Sequence, residues 1–409
     1  MNFPMFELIL FSSMLSKIFT FTYAERGKCA IPVNNLSSQR FFHHSAVASD
    51  ANHCATISKN IMISKGGNAI DGAIAGILCT CSVNFHSCGI GGGAFFIYYN
   101  RLHKTSYAFD IREIAPGLAS ENMFHSQKSY IADYHDPKFF KNCQNKILFY
   151  HRLVETFKFS YALRSRLGDM DFVDVHKLVN KMSSKTYAKL IKSLINDNKT
   201  NPSSYYGPPG DFKEDHGTSH FSLISDEGDA VSITSSINYK FGSLVLGNET
   251  GIIYNDQMDD FSYPNRINIY KLRPSKSNFV RPYKRPMSSM SPIIVVNKAG
   301  NVDLVLGSSG GSKIISSTTQ SAALALLFRE SMKSSIDAPR VHHQLHPNVI
   351  LYEKNMPKTI LKGLMKKGHI LKKNKNYSGV CDGIKRSSKN RRLLQCNADF
   401  RKGGSCDGS

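Results

Sequence analysis

The sequence predicts an α/β fold in which β-strands are enclosed by helices on both sides, and three observations lead to this prediction. Residues 68–78 place apolar side chains at helical spacing. From residue 218 onward, short runs alternate apolar and polar residues, as half-buried strands do. A glycine-rich turn at 307–311 then leads into a second apolar-periodic stretch, 312–328. Helices that cover strands on both sides give a layered core.

The N-terminal half begins with the helix predicted at 68–78. Asn68 is expected to cap it, because its side-chain oxygen can accept hydrogen bonds from free backbone N–H groups of the first turn. The glycine cluster at 88–94 leads into the apolar run 95–99, which predicts a loop before a buried strand. No helix or phosphate-binding lysine follows the glycines directly, so we interpret them as a site of close backbone packing.

The middle of the chain, 120–217, is expected to be helical and polar, with a periodic helix over 148–167. After residue 218 the chain changes to strands. The predicted strands are 221–225, 230–236 and a hairpin formed by 293–296 and 302–306.

The 409 residues are 41% hydrophobic, enough for one large α/β unit or for two or three domains. The formal net charge of +21 is concentrated between 358 and 402. A nucleic-acid site would interleave aromatic residues with this charge, and the stretch offers mainly Tyr377 and Phe400. We therefore predict a solvated basic face and no nucleic-acid partner, while attraction to anionic membrane or glycan surfaces stays open.

The first 24 residues read as a signal peptide, because an apolar stretch is followed by small residues and then by Glu25. Glu7 and Lys17 interrupt the apolar run, which disfavours a membrane anchor, although a tether is kept as an alternative. We expect a protein that is secreted or held at the extracellular face of the plasma membrane. Four glycosylation sequons agree with this route, at Asn35, Asn198, Asn248 and Asn376.

The nine cysteines are scattered from Cys29 to Cys406 without paired CxxC runs. This spacing favours disulfides over a zinc site, and the odd count leaves at least one thiol unpaired. His342, His343 and His346 suggest a metal by composition alone, but we assign no metal and no cofactor to the chain.

Two sets of motifs together resemble the γ-glutamyltranspeptidase family over nearly all of 45–120 and 148–409. The first set is similar to the large subunit of that family: Ala46–Asp50, Gly66–Asp71, Gly89–Gly93 and Arg112–Pro116. The second set is similar to the small subunit: Gly217–Leu223, Asp229–Asn238, Phe241–Ser243, Gly251–Ser262, Pro286–Met290 and Arg401–Gly404.

The resemblance implies an N-terminal-nucleophile hydrolase with a four-layer αββα sandwich. The chain would cut itself before Thr218, which separates a large-subunit region, 25–217, from a small catalytic subunit, 218–409, and the two would form a heterodimer. A threonine hydroxyl is a weak nucleophile and needs an adjacent base. The freed α-amine of Thr218, with a reference pKa of about 8, lies within reach of the hydroxyl and can serve as that base.

The same resemblance implies the substrates and the residues that hold them. The enzyme would transfer a γ-glutamyl group from glutathione or related compounds to water, an amino acid or a dipeptide. Arg112 would clamp the substrate α-carboxylate in a bidentate manner. The other implied residues are Asn238, Gln257 and Asp260 for the α-amine, Ser288 and Ser289 for the carboxylate, Ser236 beside the nucleophile where the family usually has threonine, Gly310 and Gly311 for the oxyanion hole, and Cys54 with Cys79 as a disulfide.

The resemblance breaks between Phe124 and Tyr150. The family carries a long block there, which completes the large subunit, whereas this chain has a short polar insert, 125–149, that includes the unmatched Cys143. Small losses of catalytic geometry cost much of an enzyme's rate. Two functions therefore remain open: an active γ-glutamyltransferase and glutathione hydrolase, or a secreted inactive homologue that acts as a binding or decoy protein.

Overall fold

A computed structural model describes residues 29–32, 37, 39–115, 139–208, 217–264, 274–374 and 379–409. The expected signal peptide and the sequons at Asn35 and Asn376 lie outside these ranges, whereas Asn198 and Asn248 are described and exposed. Within the described ranges, no helix combines the length and the apolar character needed to cross a bilayer.

The described residues form eight α-helices and fourteen strands. The helices are α1 Cys54–Ser64, α2 Ala69–Val83, α3 Cys143–Arg164, α4 His176–Met182, α5 Lys185–Leu194, α6 Lys313–Leu326, α7 Met332–Asp337 and α8 Lys358–Lys366. The strands are β1 Arg40–Phe42, β2 Ala46–Ser49, β3 Gly93–Asn100, β4 Thr105–Ile111, β5 Gly217–Ile224, β6 Ala230–Asn238, β7 Ile293–Val296, β8 Val302–Ser309, β9 Val341–His342, β10 Ile350–Tyr352, β11 Leu371–Lys373, β12 Val380–Arg386, β13 Leu394–Asn397 and β14 Ser405–Gly408.

Two antiparallel sheets form the centre of the fold. One has the order β14-β2-β5-β6-β3-β4 and the other the order β1-β13-β12-β8-β7. The buried apolar layer between the sheets includes Ala48 and Ile224 from the first and Val305 and Ile384 from the second. A smaller sheet, β11-β10-β9, lies beside them.

Helices cover both outer faces of this pair of sheets. Ala55 of α1 and Ala73 of α2 pack on Phe221 of β5, and α6 and α7 pack on the second sheet around Leu306. Gly76 permits the close approach of α2, because a Cβ there would lie 2.2 Å from the Phe221 ring. The layers are therefore helix, sheet, sheet and helix, so the predicted four-layer αββα sandwich is confirmed.

The prediction that Asn68 caps the N-terminus of α2 is confirmed as well. Asn68 accepts hydrogen bonds from the backbone N–H of Ile70 at 2.8 Å and of Asp71 at 3.1 Å. The Asp71 carboxylate accepts in return from the Asn68 N–H at 2.9 Å. This reciprocal pair satisfies backbone groups that the first helical turn leaves without partners.

The second half of the supposed polar insert is part of the core, which corrects the sequence interpretation. Helix α3 begins at Cys143, five residues before the predicted periodic stretch. Phe140, Ile147 and Phe149 are buried in the same apolar cluster as Phe328. The polar residues of 141–146 mask the apolar pattern in the sequence. The partners that bury Phe140, Ile147 and Phe149 come from distant parts of the chain, so the local pattern did not predict their burial.

The described residues contain four disulfide bonds. Cys54 and Cys79 are bonded, as the resemblance implied. The cysteines left unassigned by the sequence form the bonds Cys29–Cys143, Cys81–Cys88 and Cys396–Cys406. Cys381 remains a buried free thiol, in agreement with the odd count.

Among the described residues, no further strand pairs with one edge of the six-stranded sheet. Strand β4 is its edge, and all seven of its residues are exposed. Tyr107, Phe109 and Ile111 are about half exposed along this strand, and Ile74 and Leu78 are equally exposed on α2. This apolar face lies on the strand that precedes the region where the resemblance to the family is expected to break.

Candidate active site

The Gly217–Thr218 bond lies in a bulge at the start of β5. Gly217 pairs with Asn238 and Thr218 pairs with Ser236, so the register shifts between the two residues and Ile237 has no opposite partner. Asn238 takes the left-handed backbone conformation, with φ 75°. Gly217 has no room for a side chain, because a Cβ would lie 2.2 Å from the Tyr239 carbonyl oxygen. The bond is thus held in an irregular, sterically crowded stretch of an otherwise regular strand pair.

The Ser236 hydroxyl connects both sides of this bond. Thr218 is 2% exposed, and its Oγ1 donates to Ser236 Oγ at 3.2 Å. Ser236 Oγ in turn donates to the Gly217 carbonyl oxygen at 2.8 Å and accepts from the Asn238 backbone N–H at 2.9 Å. One hydroxyl therefore contacts the Thr218 side chain and polarises the carbonyl group of the residue before it.

Lys402 and Asp50 hold the other side of Thr218, and sequence reasoning did not assign a role to either residue. Lys402 Nζ donates to the Thr218 carbonyl oxygen at 2.9 Å and pairs with Asp50 Oδ2 at 2.6 Å. The Asp50 side chain is fully buried, so the ammonium group compensates a charge that cannot reach water. Both residues belong to motifs that carried the family resemblance, so the signal was present in the sequence.

Arg112 and Asp260 face each other in a buried ion pair. The Arg112 guanidinium donates to Asp260 Oδ2, and it also lies 3.4 Å from Glu113 Oε2. Burial raises the pKa of Asp260, and Arg112 opposes that rise; burial likewise raises the pKa of Glu113. Arg112 and Asp260, which were predicted to bind the carboxylate and the amine of the substrate, are thus in contact with each other. Glu113, to which the sequence assigned no role, lies beside Arg112.

Asn238 and Gln257 bring unpaired amide groups next to this pair. Both residues are buried, with exposures of 0% and 2%. The Oδ1 of Asn238 and both amide atoms of Gln257 have no hydrogen-bond partner among the described residues. Asn238 Nδ2 donates to the Asp256 carbonyl oxygen at 3.1 Å, which fixes Oδ1 as the open acceptor. Buried polar atoms without partners are costly and call for a physical explanation.

Ser288 and Ser289 lie on a segment held by two buried arginines. Arg112 donates to the carbonyl oxygens of Pro286 at 3.3 Å and Met287 at 3.2 Å. Arg164 of α3, another residue missed by the sequence reasoning, donates to Ser289 Oγ at 3.0 Å. The two serines therefore lie on the short segment whose Pro286 and Met287 carbonyl oxygens accept hydrogen bonds from Arg112.

Gly310 and Gly311 form the turn between β8 and α6. Their φ angles are 121° and 63°, a region that favours glycine, and a Cβ on Gly310 would lie 2.8 Å from Gly379 Cα. Strands β5 and β8 face each other: Ile224 and Val302 share the layer between the sheets, and Gly307 packs on the His220 ring. The contacts therefore advance from Ile224 back toward Thr218 along β5 and from Val302 on toward Gly310 along β8. Thr218 and Gly310 lie toward the same end of the sandwich.

The histidines of 342–346 make protein contacts. His342 Nδ1 lies 2.8 Å from Ser316 Oγ, and His343 Nε2 lies 3.2 Å from Asn348 Oδ1. In the described part of the chain, the ligand atoms of another group, His151, Glu155 and His369, lie close enough together for a metal ion. The Glu155 carboxylate already pairs with the buried Lys158 ammonium at 3.0 Å, and this positive charge opposes the binding of a cation.

Comparison with known proteins assigns these features to one family. Residues 54–138 and 131–409 match the family described as Gamma-glutamyltranspeptidase. Scoloptoxin SSD14 from Scolopendra dehaani is 42% identical over 286 residues, which are 70% of this chain and 48% of that protein. Glutathione hydrolase 2 from Arabidopsis thaliana is 45% identical over 233 residues, 54% of this chain and 40% of that protein. The chain therefore matches about half or less of the length of these relatives.

The fold is also found in a distant solved structure. Cephalosporin acylase from Bacillus halodurans is 15% identical and superposes with a TM-score of 0.69, covering 93% of this chain and 98% of that one. At this level of identity the similarity concerns the fold alone.

Proposed function

Because the chain belongs to the γ-glutamyltranspeptidase family, we propose that it is a γ-glutamyltransferase and glutathione hydrolase that cuts itself before Thr218 and then uses this residue as its nucleophile. The observation that supports this most directly is the relay from Thr218 Oγ1 through Ser236 Oγ to the Gly217 carbonyl oxygen, with distances of 3.2 and 2.8 Å. The relay supports the proposal because the Thr218 hydroxyl, a second hydroxyl that can accept its proton and the Gly217 carbonyl group lie around one peptide bond.

Self-cleavage follows from that relay in two steps. Thr218 Oγ1 attacks the Gly217 carbonyl carbon, its proton leaves by way of Ser236, and the negative charge that develops on the Gly217 oxygen is stabilised by the Ser236 hydroxyl. The peptide C–N bond breaks, the Thr218 nitrogen takes up a proton, and an ester joins Gly217 to Thr218. Water then hydrolyses the ester, which leaves a Gly217 carboxylate and a free Thr218 α-amine.

The mature site would repeat this chemistry on a substrate. The Thr218 α-amine removes the proton from its own hydroxyl, the oxygen attacks the γ-carbonyl of the donor, and the leaving amine takes up the proton. Water or the amine of an amino acid or dipeptide then attacks the γ-glutamyl ester and regenerates Thr218. The Gly310–Gly311 turn supports the proposed oxyanion hole, since it places backbone groups beside the start of α6, where the helix dipole favours negative charge.

The Arg112–Asp260 pair supports recognition of the zwitterionic glutamyl head. The substrate carboxylate replaces Asp260 at Arg112, and the substrate ammonium takes Asp260 together with the open acceptors of Asn238 and Gln257. Exchanging one ion pair for two leaves no buried charge uncompensated. The donors proposed are glutathione and related γ-glutamyl compounds.

The setting proposed for this activity is extracellular. Four disulfides and exposed sequon asparagines at 198 and 248 support a secreted or surface-tethered glycoprotein, because disulfides persist in oxidising compartments. The large and small fragments would stay together as a heterodimer, since β5 of one is paired with β2 of the other.

A denaturing gel of the purified protein, with N-terminal sequencing of each band, tests the proposal. Because 25–217 and 218–409 are nearly equal in length, at 193 and 192 residues, we expect the full-length band to be replaced by material of about half its size, with one of two N-terminal sequences beginning at Thr218. We also expect release of p-nitroaniline from a γ-glutamyl anilide. Thr218→Ala should give neither fragment nor activity, and Thr218→Ser should give both more slowly. A small fragment from Thr218→Ala would contradict the proposed nucleophile.

The second candidate is the inactive secreted homologue, a binding or decoy protein. Its support is the exposed apolar face on β4 and α2, together with the match to about half of the relatives' length. This candidate predicts one uncut chain on the same gel and no activity toward the γ-glutamyl anilide.

A further inference from the structure

A cleft of about 420 Å³ lies at the C-terminal end of α8, apart from the residues around Thr218. Its walls come from 199–202, 366–368 and Asn348. The two segments are joined by the Thr200 backbone N–H, which donates to the Lys367 carbonyl oxygen at 2.8 Å. The volume is in the range of pockets that hold small organic ligands.

The charged residues that line the cleft are all basic: Lys199, Lys366 and Lys367. Lys367 Nζ donates to the Asp197 carbonyl oxygen at 2.5 Å, whereas the ammonium groups of Lys199 and Lys366 have no side-chain partner among the described residues. The nearby Asp197 carboxylate is bound by Arg152. Like charges that converge without a counter-ion repel one another, so an anion in the cleft would relieve that repulsion.

The lining also includes two amide side chains, those of Asn201 and Asn348. The Leu345 backbone N–H donates to His343 Nδ1 at 3.0 Å, which places the proton of the neutral ring on Nε2. Nε2 therefore donates to Asn348 Oδ1 at 3.2 Å. The Asn348 NH₂ group then remains available as a donor at the cleft wall, and the Asn201 side chain lies beside it.

A row of lysines leads from this cleft along α8. Lys358, Lys362 and Lys366 are exposed and follow one another at four-residue intervals, opposite the buried Ile360 and Leu364. This spacing puts the three ammonium groups on one side of the helix. Like charges at i and i+4 destabilise a helix slightly, and a ligand with repeated anionic groups would compensate all three.

We propose that the cleft and this lysine row bind a sulfated polysaccharide, with one sulfate-bearing sugar unit in the cleft and further sulfates along α8. The amide side chains of Asn201 and Asn348 suit sugar hydroxyls, and the lysines beside them suit sulfate groups. Its lining contains no aromatic residue on which a nucleic-acid base could stack. This inference is independent of the chemistry proposed at Thr218.

The test is binding of a fluorescent heparin-derived oligosaccharide to the full-length protein, measured by anisotropy at several salt concentrations. Lys199→Gln combined with Lys366→Gln should weaken binding roughly five- to tenfold, from two exposed charge contacts. The matched control removes two exposed lysines elsewhere, Lys65 at the end of α1 and Lys298 in the β7–β8 turn, and should change the affinity by less than about twofold. Equal loss in both variants would overturn the proposal, because net charge alone would explain the binding.

Two further measurements keep the proposal testable if a variant folds poorly. On the unmodified chain, the oligosaccharide should protect Lys199 and Lys366 from acetylation by an amine-reactive reagent, read by mass spectrometry, and should leave Lys65 and Lys298 unprotected. Unchanged reactivity of the cleft lysines would overturn the proposal. So would binding to phosphatidylserine vesicles without binding to the oligosaccharide.

Discussion

Replacing Ser236 with alanine isolates the hydroxyl that joins the nucleophile to the carbonyl it is expected to attack. Ser236 Oγ donates to the Gly217 oxygen at 2.8 Å, and the loss of one such donor to a developing oxyanion slows a reaction by about 10²- to 10³-fold, or roughly 2.7–4 kcal/mol. The change also leaves the Asn238 N–H without its acceptor, which costs about 1–3 kcal/mol of stability for a buried donor. We therefore expect slow self-cleavage together with a lowered Tm.

The assay follows the appearance of the small fragment after pulse labelling of the expressing cells and a chase. Ser236→Thr keeps the hydroxyl and should cleave at nearly the normal rate. Ser235→Ala is the matched control, because Ser235 is the neighbouring buried serine of β6 and donates instead to the Gly93 carbonyl oxygen at 3.0 Å. If Ser236→Ala cleaves within about an order of magnitude of the unmodified chain, Ser236 does not polarise this bond.

Three further predictions concern the surroundings of the site. Arg112→Lys should leave self-cleavage intact and raise the donor KM, at a cost of about 1.5–3 kcal/mol for a charged hydrogen bond; an unchanged KM would refute its assigned role. Lys402→Met should lower the Tm by stranding the buried Asp50 carboxylate, worth roughly 3–5 kcal/mol, and Asp50→Asn in the same chain should recover part of the loss in thermal melts. Burial lowers the pKa of His220 to about 3, so the unfolded chain binds a proton that the native chain does not between pH 6.5 and 3. Stability is therefore lost as the pH falls through that window, by about 2 kcal/mol at pH 5, and His220→Gln should flatten this slope in urea unfolding if it folds.

The sequence predicted the local signals of the fold because these depend on near neighbours. Asn68 and Asp71 stand three residues apart and cap α2 without help from other elements. The two predicted strands that follow Thr218, 221–225 and 230–236, alternate apolar and polar residues, and their pairing follows from a short connection. The resemblance of the motifs to the γ-glutamyltranspeptidase family then predicted the order of the layers.

Contacts between distant residues were beyond the sequence. Cys29 and Cys143 are 114 residues apart, and no spacing rule selects that pair among nine cysteines. Lys402 and Asp50 are far apart in the sequence and form an ion pair. Both belong to motifs that carried the family resemblance, but the resemblance did not predict this pair. The bulge at Gly217 likewise depends on the partner strand, since a register shift exists only between two strands.

The open face of β4 gives the last prediction, which concerns association between molecules. Tyr107 and Ile111 are 50% and 55% exposed on an unpaired edge strand, and burying the exposed half of each against another surface would contribute up to about 1 kcal/mol. Exposed apolar edges pair with other chains, so we expect the unmodified chain to associate in light scattering and Tyr107→Thr combined with Ile111→Thr to lower the mass of the associated species. Threonine keeps a strand-forming composition in β4. Leu244→Thr is the control, because Leu244 is 80% exposed in a loop outside the sheet. Because neither change touches the Thr218 relay, the rate of self-cleavage should stay constant. If the oligomer mass stays unchanged, or falls equally with Leu244→Thr, the edge of β4 is not the surface through which the molecules associate.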